Sequence, residues 1–149
     1  MASGDGMIAA KYAATILHSA PDAVVLADAN GTVRSWNVGA EELFGYTTAD
    51  AVGSSLTTLI VPKRHQEKHD AGYAAVMNGG ASKYGRRDYL RVPAVKKDGS
   101  KIAIEFSLQT LTNDDGKPVA SLAMMRDASQ SSNTIRKLRA RIAELEKAL

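Results

Sequence analysis

The 149 residues include no cysteine. That absence excludes disulfides, thiolate nucleophiles, cysteine-held zinc or iron–sulfur centres, and photochemistry that needs a flavin–thiol bond. Aromatic residues are scarce at 5%, with one tryptophan and two phenylalanines, and the formal net charge is only +3. A nucleic-acid surface would show a larger basic field interleaved with aromatic rings, so that class of partner is not expected. Long apolar runs are also missing. "AVVLA" at 23–27 falls far short of the roughly 20 residues that cross a bilayer. The N-terminus lacks the basic start and continuous apolar stretch of a secretory signal. No glycine-rich phosphate loop and no Ser-His-Asp arrangement stands out. Together these absences predict a soluble, cytoplasmic, non-catalytic protein.

What is present fits one globular domain with an extension: 44% apolar and 23% charged residues, both near globular averages. In "IAAKYAATILHS" at 8–19, Ile8, Tyr12, Ile16 and Leu17 recur at helical spacing ahead of Pro21, which predicts a short amphipathic helix. Its His18 is expected to serve the helix C-terminus. "DAVVLADANGTVRSWN" reads as two strands joined by Asn30-Gly31, a dipeptide suited to a tight turn. Short helical patterns follow from Val38 to Val52, broken at Gly45 and restarted with Thr47 or Thr48 as N-cap. A longer helix is expected from Pro62 to the "NGG" stop at 78–80.

Three more strands are predicted at about 85–96, 100–111 and 118–128. In the middle one Ile102, Ile104, Phe106 and Leu108 alternate onto one face, and Asp98-Gly99 and Asp115-Gly116 supply the turns. Two strands, a helical segment and three strands imply an α+β domain: a five-stranded antiparallel sheet with helices over one face and a ligand pocket between the layers. "SQSSN" then reads as a polar linker. Beyond it Ile135, Leu138, Ile142, Leu145 and Leu149 follow the a/d spacing of a coiled coil, with Arg136, Lys137, Arg139 and Arg141 on its solvated exterior. The expected organisation is an N-terminal flanking helix over 1–20, the domain over 21–129, and a linker with a coiled-coil signalling or dimerisation helix over 130–149.

Several separated motifs in the right order resemble one family. "ILHSAPDAVVLADANGTVRSWNVGAEELFGYTTADAVG" resembles the N-terminal half of a PAS domain. "RVPAVKKDGSKIAIEFSLQTLTNDDGKPVASLAMMRDAS", with its "RDAS" ending at Arg126–Ser129, is similar to the C-terminal half. The resemblance implies a PAS fold over roughly 12–129, a sensory module, and signalling through dimerising flanking helices to a downstream protein. "PKRHQEKHDAGY" resembles the helix of the haem-PAS oxygen sensors that carries the proximal iron ligand. It implies haem b, a diatomic gas as partner, and His69 as the metal ligand. By the same resemblance Phe106 and Leu108 line the distal pocket. Arg86, Arg87 and Arg91 are candidates to meet a bound gas, because the chain is longer here by about two residues and the register stays open.

Each candidate has a plainer role beside the sharp one. His65 lies one helical turn before His69, a spacing that can chelate zinc, yet no third ligand is evident and Asp70 is expected to point off that face; His65 is read as solvated. Met124 and Met125 are adjacent on a strand, so one must face the pocket and the other the opposite side. Trp36 at a strand end is read as core packing rather than a stacking platform. Within the family, the rivals to haem are a small organic ligand such as a fatty acid or carboxylate, with the arginines as anion partners, and a ligand-free docking or dimerisation unit.

Overall fold

The computed structural model describes residues 4–82, 85 and 88–149. Helix α1 (Gly4–Ser19) comes first and leaves Met7, Ile8, Tyr12, Ile16 and Leu17 exposed. Strands β1 (Ala23–Asp28) and β2 (Val33–Trp36) then pair antiparallel. Their turn is closed by Asp28 Oδ1, which accepts from the N–H groups of Asn30 and Thr32, and Gly31 takes the φ of +78° that the bend requires.

Four helices follow: α2 (Val38–Phe44), α3 (Thr48–Ala51), α4 (Leu56–Ile60) and α5 (Lys63–Met77). Short polar side chains start the first three. Asn37 Oδ1 accepts from Ala40 N, Thr47 and Asp50 form a reciprocal capping box, and Ser55 caps α4. Asn37 does more than cap. It is buried, its Oδ1 also accepts from Val24 N at 2.8 Å, and its amide donates to the carbonyls of Leu17 and Asp22 at 2.9 and 3.0 Å. One side chain thereby ties the end of α1, the start of β1 and the start of α2 together. Gly39 lets α2 sit this close, since a Cβ there would overlap the Asp22 carbonyl.

The last three strands are β3 (Leu90–Val95), β4 (Lys101–Thr112) and β5 (Pro118–Asp127), and the five form one antiparallel sheet in the order β2-β1-β5-β4-β3. The expected start of β3 at 85 falls partly outside the described residues; Gly85 and Asp88 bond to each other, and the strand is described from Leu90. As an edge strand it tolerates Pro93, whose missing N–H costs no ladder bond on the open side. The register puts Ala23, Met125, Phe106 and Leu90 in one row, and Val25, Ala123 and Leu108 in the next. These rows share the face that α2 to α5 cover, and Trp36 and Phe44 pack there with ring centroids 5.5 Å apart. Trp36 Nε1 donates to the Tyr46 carbonyl, so the tryptophan is a packing residue.

Helix α6 (Ser129–Ala148) starts directly after β5, so the "SQSSN" segment is helical rather than a linker. The cause is local. Asp127 Oδ1 accepts from Ser129 N, Ser129 Oγ accepts from Ala103 N, and Ala128 N donates to the Ala103 carbonyl, which sets the first turn against β4. With that turn in place, adding residues is cheap even for serines. Leu138, Ile142 and Leu145 along this helix are exposed. No helix among the described residues is long and apolar enough to cross a membrane.

Candidate functional site

Helix α5 carries His69 and Tyr73 one turn apart, so both project from the same face. Their rings lie near parallel, 23° apart, with centroids separated by 6.2 Å. The Tyr73 hydroxyl donates to the Asp28 carbonyl at 2.5 Å, and the Ser121 hydroxyl, 3.0 Å away, completes the pair. Because Tyr73 has only one hydroxyl hydrogen, Ser121 is the donor in that second contact. The tyrosine thus joins α5 to β1 and to the helix-covered face of β5, and burial pushes its pKa above the usual phenol value.

His69 is held from a second helix. Its Nδ1 lies 2.8 Å from Thr57 Oγ1, and Thr57 donates at 2.6 Å to Asp70 Oδ1. Asp70 Oδ1 is itself 3.8 Å from Nδ1. Thr57 is buried in α4, while the His69 side chain is 38% exposed. Partial desolvation lowers the histidine pKa from its ordinary 6.5, outweighing the Asp70 carboxylate, which acts to raise it. The imidazole is therefore mostly neutral at pH 7. His69, Asp70, Tyr73 and Met77 from α5 line an open cavity of about 410 Å³, bordered also by Asn30 and Gly31 of the first turn and by Ser55, Leu56 and Thr57.

Among the described residues, the others singled out in the sequence do not line that cavity. Phe106 and Leu108 lie on the helix-covered face of β4, partly buried against the core, but outside the cavity lining. Met125 is on the same face and 3% exposed, whereas Met124 alternates to the opposite face and is 43% exposed. Arg91 also faces away: its register partner is Glu105, and the two side chains approach to 3.7 Å on the uncovered side. The inward residues of β3 are Leu90, Val92 and Ala94. Arg86 and Arg87 lie outside the described residues. His65 is exposed and accepts from Arg64, and among the described residues no three His, Asp or Glu side chains cluster as metal ligands.

Sequence reasoning missed Thr57 altogether and sent Asp70 to the wrong side. Asp70 turns back toward α4, since the Thr57 hydroxyl offers its carboxylate a hydrogen. Nothing in "SLTTLI" distinguishes Thr57 from Thr58, and its partner is twelve residues away.

Comparison with known proteins extends this picture. A family model described as "PAS fold" matches residues 12–128. Oxygen sensor protein DosP of Escherichia coli is 35% identical over 106 residues, covering 70% of this chain and 13% of its own. Sensor protein FixL of Bradyrhizobium diazoefficiens is 25% identical over 138 residues, covering 91% of this chain and 25% of its own. The chain thus spans about a quarter or less of these curated relatives. Among solved structures, the PAS domain of a protein from Colwellia psychrerythraea superposes with a TM-score of 0.67 at 26% identity, covering 81% of this chain and 98% of that one.

Proposed function

The chain belongs to the PAS family, and on that premise we propose that this sensor module binds haem b through His69 and reports gas binding or redox state through a dimeric flanking helix. The observation that carries the reading is His69 itself: an imidazole half-buried on α5, its pKa lowered by desolvation, and held by a neighbouring helix, in the segment that resembles the iron-binding helix of haem-PAS sensors. The relative named as an oxygen sensor points the same way. Haem needs one axial nitrogen and an apolar wall for its porphyrin. His69 supports the first need, and the second would draw on the sheet face beyond the cavity, since Phe106 and Leu108 lie outside its lining. His69 supplies the nitrogen, and the helix-side residues Leu90, Val92, Phe106 and Leu108 form an apolar stretch that the helices only partly cover, Val92 being 38% exposed. Bound haem would contribute a gas-binding iron; the protein would hold and orient it.

Arg91 has no part in this reading, because its guanidinium is engaged with Glu105 on the other face. Among the described residues the inward wall of β3 is apolar, which suits carbon monoxide or nitric oxide, whereas holding dioxygen would call for a hydrogen-bond donor. We place the module in the cytoplasm as a homodimer, with 1–20 and 130–149 as flanking signalling segments that pass the state to a downstream protein. The exposed Leu138, Ile142 and Leu145 seam of α6 is the surface that a second copy would cover. Sedimentation should report a dimer that dissociates in a Leu138→Lys, Leu145→Lys variant; a monomeric wild type would remove the assembly from the proposal.

One observation favours a second reading. The 410 Å³ cavity beside His69 is rimmed by Asn30, Ser55, Thr57, Asp70 and Asn78, a lining that suits a small hydrogen-bonding organic molecule. An absorption spectrum of the protein mixed with hemin, wild type beside His69→Ala, separates the two. Haem ligation predicts a sharp Soret band in the wild type that shifts or vanishes in the variant. The broad band of loosely adsorbed hemin in both samples would end the haem reading and leave the cavity to an organic ligand.

A further inference from the structure

Three groups meet where α4 and α5 touch: the Thr57 hydroxyl, the Asp70 carboxylate and the His69 ring. The threonine oxygen carries one hydrogen. At 2.6 Å from Asp70 Oδ1 that hydrogen must go to the carboxylate, because an ionised carboxylate only accepts. The same oxygen lies 2.8 Å from His69 Nδ1 and has no second hydrogen to offer. Nδ1 must therefore be the donor. From this geometry we infer that Thr57 and Asp70 are positioning residues for His69, fixing the tautomer protonated at Nδ1 and leaving a bare lone pair on Nε2.

This preference runs against the free side chain, since an unconstrained neutral histidine favours its proton on Nε2. The helices are also tied so that the arrangement persists. Gln66 Nε2 donates to the Val61 carbonyl at 3.0 Å and lies 3.4 Å from the Thr57 carbonyl, which holds α5 against α4 just before His69. Orientation of a ligating histidine through its second nitrogen is how metal sites select the donor atom and raise its basicity. The consequence for iron rests on the haem reading above. The tautomer does not.

The test is a two-bond proton–nitrogen correlation spectrum of histidine-labelled full chain without hemin at neutral pH. Wild type should show the His69 nitrogens in the Nδ1–H pattern, Thr57→Ser should keep it, and Thr57→Val should move toward the Nε2–H pattern. Observing Nε2–H in wild type, or no change in a folded Thr57→Val, overturns the inference; because the wild-type pattern alone is decisive, a misfolded variant does not protect it. Hemin titration of the same samples then separates the two ideas. Thr57→Val should weaken His69-dependent binding about 10- to 100-fold, the usual cost of losing a partner behind a metal-ligating histidine. If no sample binds hemin while the spectra behave as expected, the haem reading falls and the positioning of His69 stands. If wild type and Thr57→Val bind equally well with unaltered tautomers, the reverse holds.

Discussion

Asn37 and His69 are both polar side chains that bridge separate elements, and the molecule treats them oppositely. Asn37 is buried, and its oxygen and its amide hydrogens are all engaged with backbone groups of α1, β1 and α2. His69 is partly exposed at a cavity edge, and one of its two nitrogens answers to Thr57 while the other makes no hydrogen bond among the described residues. A side chain with saturated bonding capacity in the interior can only hold structure. One held firmly through a single atom, with its second nitrogen outside those bonds, has capacity left for a ligand.

Denaturant unfolding should expose the difference most strongly at Asn37. Asn37→Ala strands the buried Val24 N–H and removes the donor to two partly buried carbonyls, so a loss on the order of 3 kcal/mol is expected. Thr57→Val should cost only about 1 kcal/mol, since His69 and Asp70 can turn to solvent when the hydroxyl goes. Equal losses would erase the distinction between a structural and a functional bridge.

A smaller effect should appear with pH in the hemin-free protein. The folded pKa of His69 lies below its ordinary 6.5, so the unfolded chain takes up a proton first as the solution is acidified. His69 therefore adds stability that is fully present above pH 6.5 and is lost as the pH falls through its folded pKa. The urea midpoint should drop over that range in wild type, and less so in His69→Ala. A midpoint equally sensitive in both proteins would move the effect to another group.

The sequence made the fold legible because its signals are local. Turn glycines, the alternation through Ile102, Ile104, Phe106 and Leu108, and the apolar spacing along 135–149 each report on neighbours within one element. Their order implied the antiparallel sheet, which the structure shows. The phase of β3 was less accessible: alternation says that Leu90 and Arg91 face opposite ways, but a slip of one residue exchanges them, and pairing with Glu105 settles it. The helical "SQSSN" segment depended on Ser129 finding Ala103, 26 residues away. The Thr57–His69–Asp70 group is tertiary in the same sense, since it exists only once α4 packs on α5.

The clasp that joins Ser129 and Ala128 to Ala103 also has a mechanical meaning. It makes the exit of the C-terminal helix a fulcrum seated on the central strands, not a free swivel. A 20-residue helix is roughly 30 Å long, so each degree of tilt at that fulcrum sweeps its far end by about 0.5 Å. Any change in strand twist passed through that clasp would therefore be magnified into a larger displacement at Leu145.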